Sequence, residues 1–215
     1  MKLFSILKNC STNYYIKNKF DNNVLGISSD SREIKNNFIF SVIKGEKFNG
    51  QDFIKKLMHL KQVTLILSDD LSASEKVSTD YLEKFVIIYS NKVRELTSEI
   101  ASLIYKNKIN ELVSVTGTNG KTSIADYTRQ IWEKNNIRCA SIGTLGTIFN
   151  KKQHFSQKLT TPQSIDLLKV LNKISKKKCE KVIIEASSIG IDQGRLSNLK
   201  FDKIVFTNLS RDHLD

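Results

Sequence analysis

Apolar positions along the chain fall into two regimes. Up to about Ser90 they come in short runs: Phe38-Ile39-Phe40-Ser41-Val42-Ile43, Val63-Thr64-Leu65-Ile66-Leu67 and Phe85-Val86-Ile87-Ile88. Each run has the length and the β-branched or aromatic content of a buried strand. Lys44-Gly45 and Asn49-Gly50, after the first run, read as turns. Phe53 to Leu60 has helical spacing. Strands alternating with a helix predict a small α/β domain over residues 1–90. From Asn91 to Lys106, the residues Val93, Leu96, Ile100, Leu103 and Ile104 recur at helical spacing. This amphipathic helix reads as a link spanning residues 91–110.

Beyond it, strand runs and helical segments alternate strictly. Leu112 to Val115, Ala140 to Ile142, Val182 to Ile184 and Ile204 to Phe206 are strands; Thr122 to Lys134 and Gln163 to Lys177 are helices. Continuously apolar strands followed by helices predict a parallel sheet covered on both faces over residues 111–215. Ligands of such sheets bind at the carboxyl ends of the strands. The polar motifs of this half all fall there.

Composition narrows the class. A 215-residue chain has room for one large domain or two small ones, and 40% hydrophobic with 26% charged residues excludes wholesale disorder. Nine glycines and one proline exclude collagenous and linker-dominated chains. No apolar run approaches the ~20 residues that span a bilayer, so no membrane association is expected. The start, Met1 to Lys8, has too short an apolar stretch for a signal peptide, and a cytoplasmic location is expected. Cys10, Cys139 and Cys179 form no C-x-x-C pair and read as buried or half-buried thiols. The net charge of +12 comes from 28 lysines and 6 arginines spread along the chain. That pattern predicts a solvated lysine surface that favours anionic ligands, with no specific nucleic-acid partner. The run Lys176-Lys177-Lys178 sits at a helix end, where cations suit the dipole.

The chemistry begins after Val115 with Thr116-Gly117-Thr118-Asn119-Gly120-Lys121-Thr122-Ser123, and a helix follows. Glycines let backbone N–H groups turn toward phosphates, and the helix N-terminus adds a favourable dipole. Lys121 can reach the β- and γ-phosphates, and the Thr122 hydroxyl can ligate Mg²⁺. Val115 stands where G-x-x-x-x-G-K-[ST] has its first glycine, yet strand, loop and helix are in the expected order. A nucleoside triphosphate is the predicted ligand. Strand 182–184 runs into Glu185-Ala186-Ser187-Ser188, which places a carboxylate beside the loop, able to hold a metal directly or through water. The last strand runs into Thr207-Asn208-Leu209-Ser210-Arg211-Asp212-His213-Leu214-Asp215. Asp192-Gln193-Gly194-Arg195 reads as a turn with a projecting arginine, either a clamp for an anion or a loop decoration. Thr160-Thr161-Pro162 precedes a helix, and its hydroxyls read most simply as N-caps.

Together these segments resemble the Mur ligase family. The resemblance rests on Thr116 to Thr122, Thr160 to Pro162, Glu185 to Ser188 with Gln193 and Arg195, and Thr207 to Asp215. In the first part Asp30-Ser31-Arg32, Phe38 to Phe40, Gly45 and Asn49-Gly50 also follow the pattern, so it covers the chain from about residue 24 onward.

The resemblance implies an ATP-dependent amide ligase of peptidoglycan precursor synthesis, acting through an acyl phosphate. The branch it resembles adds a third amino acid, taken here as meso-diaminopimelate, to UDP-N-acetylmuramoyl-L-alanyl-D-glutamate. It implies ATP and Mg²⁺ as cofactors, with Lys121, Glu185 and His213 as the catalytic set. Gly117, Thr118, Asn119, Gly120, Lys121, Thr122 and Ser123 would hold the nucleotide, and Thr122, Glu185 and His213 the metal. Ser31, Gly45, Glu46, Lys47, Phe48, Thr160, Thr161, Ser187, Gln193 and Arg195 would hold the UDP-sugar peptide. Residues 1–90 would then be the UDP-binding domain and 111–215 the first part of a central ATPase domain.

The sequence departs from its relatives at three places. Ile189 stands where a histidine is common, Gly194 replaces a bulkier residue, and Leu159 stands where some relatives have asparagine. The family's enzymes have three domains, and this chain stops inside the second. It lacks the lysine that the family carbamylates and the C-terminal domain. The chain alone is therefore expected to be an inactive monomer. The alternatives are a non-catalytic UDP-sugar or nucleotide binder and a folylpolyglutamate synthase-like ligase. The latter's loop reads Gly-Lys-Gly-Ser, against Gly120-Lys121-Thr122-Ser123 here.

Overall fold

The computed structural model describes residues 1–18, 20–43, 50–68, 85–155 and 159–210. The expected turn at Lys44-Gly45, the sites at Gly45, Glu46, Lys47 and Phe48, and His213 lie outside these residues. The chain divides into two compact units, Met1–Ile104 and Tyr105–Asp215. Among the described residues no helix is long and apolar enough to cross a membrane.

The first unit is built on a five-stranded sheet in the order β1-β5-β4-β3-β2. Its strands are β1 (Tyr15–Lys17), β2 (Gly26–Ser28), β3 (Phe38–Ser41), β4 (Val63–Ser68) and β5 (Val86–Ser90). β2 to β5 run parallel, and β1 pairs antiparallel with β5. Helix α1 (Leu3–Leu7) buries Leu3, Ile6 and Leu7. One core cluster gathers Phe40, Leu65, Ile87 and Phe85 with Ile54 and Leu57, all at most 2% exposed.

Two expectations change here. The strand foreseen to Ile43 ends at Ser41, because the Ile43 N–H turns back to the Ser41 carbonyl at 3.1 Å. The helix foreseen over Phe53 to Leu60 is instead a 3₁₀ stretch, Gly50–Leu57. The apolar anchors Ile54 and Leu57 are three residues apart, which suits a three-residue turn.

Helix α2 (Val93–Ile104) falls within this unit. Its stripe of Leu96, Ile100 and Ala101 is fully buried, so it must pack against the sheet to leave water. Thr97 shares a buried hydroxyl bond with Ser41 of β3. The Glu99 carboxylate accepts from the Ser11 N–H at 3.0 Å and the Thr12 N–H at 3.1 Å.

The second unit has a six-stranded sheet in the order β11-β6-β10-β7-β8-β9. The strands are β6 (Glu111–Thr116), β7 (Cys139–Gly143), β8 (Gly146–Phe149), β9 (Lys152–Phe155), β10 (Lys181–Glu185) and β11 (Lys203–Phe206). β11, β6, β10 and β7 are parallel, as their apolar runs predict. The sheet is mixed, however, because β8 and β9 add an antiparallel meander beyond β7. Their hairpin turns on Asn150 and Lys151, both with positive φ (53° and 60°), the conformation of a type I′ turn. Asn-Lys lacks the glycine that announces such turns, so the hairpin escapes a reading by pattern.

Helices α3 (Lys121–Lys134) and α4 (Ser164–Lys176) fall close to expectation. On one face Leu167, Leu171 and Ile174 of α4 pack with Ala140, Ile142, Val182 and Ile184 of the sheet. On the other, Ala125 of α3 meets Val113, Val115 and Ile183. The short helix α5 (Ser188–Asp192) was not foreseen; the Ser187 hydroxyl caps it by accepting from the Gly190 N–H. Gly194, in the left-handed region at φ 64°, ends that turn. The three cysteines are free, Cys139 and Cys179 buried and Cys10 half-buried.

At the opposite end of the sheet from the polar motifs, Glu111 joins three strands. Its carboxylate pairs with Lys181 of β10 at 2.7 Å and with Lys203 of β11 at 2.6 Å. The bonds from Lys181 and Lys203 hold its pKa below the ordinary 4.5. A carboxylate lowered in the folded state stabilises above its unfolded pKa, and that contribution fades as pH falls through the folded value. Glu111→Gln is therefore expected to lower the thermal midpoint at pH 7 and to differ less and less from wild type below pH 4.5. Thermal melts from pH 7 to pH 3 check this, and a constant gap between the two proteins contradicts it.

Candidate active site

β6 ends at Thr116, and four residues later α3 begins with Gly120 as its N-cap and no side-chain cap. The first N–H groups of a helix have no partner within it, so this end presents donors and positive dipole toward an anion. A cleft of about 270 Å³ opens here, lined by residues 118–123 together with Thr144, Thr160 and Glu185. Lys121 lies back over its own loop, its Nζ donating to the Gly117 carbonyl at 2.5 Å and the Thr118 carbonyl at 2.9 Å.

The parallel register puts Glu185 at the end of β10, opposite Val115 of β6. Its side chain is 2% exposed. A buried carboxylate needs donors, and among the described residues it has three. Thr122 Oγ1 donates to Oε2 at 2.8 Å, the Thr144 N–H to Oε1 at 3.0 Å, and Thr144 Oγ1 to Oε2 at 3.2 Å. Among the described residues none of these partners is cationic. A carboxylate and two hydroxyls in one cleft form the hard oxygen set that Mg²⁺ takes when phosphate and water complete its shell. The residues present thus fit a nucleotide–Mg²⁺ pair.

Thr144 is a site residue that the sequence reading missed. Its signal was its place, two residues after the strand Ala140 to Ile142, where side chains reach the carboxyl ends of the sheet. It also bonds Thr160 Oγ1 at 3.2 Å, which brings Thr160 to the rim.

The remaining residues of this unit assigned to the sugar peptide form a knot beside Glu185. Thr161 is fully buried; its Oγ1 donates to the Glu185 carbonyl at 2.8 Å and accepts from the Ser187 N–H at 2.9 Å. Arg195 does not project, as the turn reading had it, but is 8% exposed. Its Nη1 donates to the Thr161 carbonyl at 2.9 Å, and its Nε and Nη2 donate to Gln193 Oε1 at 3.1 and 2.7 Å. Neither threonine caps α4, whose N-cap is Gln163 without a side-chain bond. Pro162 separates them from it, and their hydroxyls are spent on Thr144, Glu185 and Ser187. Of the departures noted, Ile189 and Leu159 are exposed. Ser31 lies in the first unit, in a 3₁₀ turn capped by the Asp30 side chain.

Comparison with known proteins gives these features a context. Residues 115–215 match the Mur ligase middle domain. A UDP-N-acetylmuramoyl-L-alanyl-D-glutamate–2,6-diaminopimelate ligase of Zymomonas mobilis is 36% identical over 192 residues, 89% of this chain and 37% of that protein. A second ligase of that name, from Clostridium acetobutylicum, is 32% identical over 100% of this chain and 44% of its own length. This chain thus spans less than half of either relative. A solved structure of a ligase with the same name superposes with a TM-score of 0.66 at 24% identity, over 89% of this chain and 38% of that one. The MurF ligase of Thermotoga maritima, solved in complex with ADP, gives 0.54 at 18% identity over 88% of this chain and 38% of its own, a likeness of fold. The middle-domain match begins at the strand that carries the phosphate loop, and the first unit is covered by the same relatives: the chain belongs to the Mur ligase family.

Proposed function

We propose that the chain is the UDP-precursor- and ATP-binding part of a ligase that adds diaminopimelate to UDP-N-acetylmuramoyl-L-alanyl-D-glutamate in the cytoplasm. The observation that carries this reading is the 2.8 Å bond between Thr122 and the buried Glu185 at the foot of an uncapped helix. A hydroxyl and a carboxylate meeting beneath a phosphate loop are the donors a nucleotide-bound divalent cation requires. Residues 1–90 are assigned to the uridine nucleotide, through Ser31 and Gly45 to Phe48, and 111–215 to ATP.

In the proposed reaction the precursor's terminal carboxylate takes a phosphoryl group from ATP, and the diaminopimelate amine displaces phosphate to leave an amide. Thr122 and Glu185, with His213 as the family resemblance implies, would hold Mg²⁺, which when bound would supply charge neutralisation on the transferred group. Lys121, released from the loop carbonyls, turns its ammonium to the phosphates, while the α3 amides hold them. Thr144 keeps the Glu185 carboxylate aimed into the cleft. Thr160, at the rim, is assigned to the sugar peptide. Thr161, Ser187, Gln193 and Arg195 fix the wall behind it, so their part in recognition is to hold the strand ends in shape.

Calorimetric titration of the chain with ADP and Mg²⁺ tests the nucleotide half. Saturable heat is expected, and Lys121→Ala is expected to weaken it by about tenfold or more, since it removes a charge-assisted contact. Equal affinity in the variant overturns the assignment of Lys121. A second titration, with UDP-N-acetylmuramoyl dipeptide, tests the first unit. The chain alone is expected to release no ADP when dipeptide and amino acid are added together, and measurable release overturns that expectation.

A further inference from the structure

The phosphate loop is held from outside by the segment that follows β11. Asn208 makes three of the bonds. Its main-chain carbonyl accepts from the Thr118 N–H at 3.1 Å, and its Oδ1 accepts from the Asn119 N–H at 3.0 Å. Its Nδ2 donates to the Asn119 carbonyl at 3.3 Å. Thr207 Oγ1 donates to that same carbonyl at 2.6 Å. Thr118 Oγ1 donates to the Ser210 carbonyl at 3.1 Å and accepts from the Ser210 N–H at 3.0 Å. The pairing continues the sheet, since the Thr207 N–H donates to Thr116 at 3.0 Å. The approach is so close that a Cβ on Gly117 would run into Thr207 Oγ1 and the Asn208 carbonyl.

These bonds divide the loop's donors. All of residues 118–123 line the cleft, but the N–H groups of Thr118 and Asn119 are engaged by Asn208, while Gly120 to Ser123 form the uncapped helix end. Holding both the N–H and the carbonyl of Asn119 fixes the torsions on either side of it. A loop fixed in advance spares a ligand the entropy of ordering it. We propose that Asn208 is a positioning residue for the phosphate loop. Its side-chain amide closes both polar groups of Asn119 and leaves the amides of Gly120 to Ser123 as those presented to phosphate. The effect on ligand binding rests on the nucleotide reading above; the clamp on Asn119 stands apart from it.

Asn208→Ala and Asn208→Asp in the 215-residue chain test this, read by amide exchange in NMR, ADP titration and thermal melting. Asn208→Ala is expected to speed Asn119 exchange, weaken ADP about fivefold and leave the melting midpoint unchanged, the scale of one exposed hydrogen-bonding group. A merely structural role would move the midpoint and spare the Asn119 amide. Asn208→Asp keeps the acceptor and is expected to retain the slow exchange, while its charge weakens ADP. Unchanged Asn119 exchange in Asn208→Ala overturns the clamp, and unchanged ADP affinity with faster exchange overturns its bearing on the ligand. Absence of ADP binding by the wild type overturns the nucleotide reading instead, and the exchange data then decide the clamp by themselves.

Discussion

Gly143→Ala is expected to expel Glu185 from its place and to abolish most Mg²⁺-dependent nucleotide binding. Gly143 is buried at the end of β7, and a Cβ there would overlap the Oε1, Cδ and Cγ atoms of Glu185. The Glu185 side chain cannot simply swing into solvent, because it is 2% exposed and held by Thr122 and by both donors of Thr144. Overpacking of this kind costs about 1–3 kcal/mol. The displaced carboxylate also loses charge-assisted bonds worth about 1.5–3 kcal/mol each. The affinity for ADP with Mg²⁺ is expected to fall more than about tenfold, as loss of the proposed metal donor implies. A double-mutant cycle measures the collision directly. Glu185→Ala in the Gly143→Ala background vacates the space, so the pair is expected to be more stable than Gly143→Ala alone. A double variant no more stable than the single one removes the steric explanation.

The second large effect is expected at Thr161, through its hydroxyl. Valine matches threonine in shape, so Thr161→Val leaves the packing intact and deletes only polar bonds. With the hydroxyl gone, the Ser187 N–H and the Glu185 carbonyl both lose a buried partner. Leaving one such group unsatisfied costs about 1–3 kcal/mol, so a loss of about 3 kcal/mol is expected. Thr161→Ser keeps the hydroxyl and is expected to lose less than half as much. Denaturant unfolding of the three proteins checks the order, and a valine variant as stable as wild type shows the bonds to be dispensable.

What could be read from the sequence was what repeats a period or follows a strand. The four parallel strands of the second unit are continuous apolar runs, and they stood out for that reason. Lys121, Thr122 and Glu185 were legible because each follows such a run, and parallel register carries strand ends to one side of a sheet. The meander was not legible. β8 and β9 are four residues each and turn on Asn150-Lys151, whose backbone conformation no side-chain pattern reveals. Thr144 was hidden for a related reason, since its role depends on which strand lies beside β10. Arg195 was misread because arginine in a turn ordinarily points to water. Its burial comes from the Thr161 carbonyl, 34 residues earlier in the chain. In the first unit the segment Phe53 to Leu60 was read as an α-helix, and its buried anchors are Ile54 and Leu57. Their spacing of three fits an α-helix and a 3₁₀ turn equally, and packing chose the latter.

The buried and half-buried thiols have a practical consequence for labelling chemistry. Burial raises Cys10 and Cys139 from 9.0 to about 11 and Cys179 to about 12, with Glu99 adding to the effect at Cys10 and Glu133 at Cys139. The reactive species is the thiolate, which is scarce at neutral pH for all three. A single cysteine introduced on the surface of either unit is then the fastest-reacting thiol in the chain. A fluorophore or spin label can be placed at a chosen point, in the native background, without first stripping out the natural cysteines.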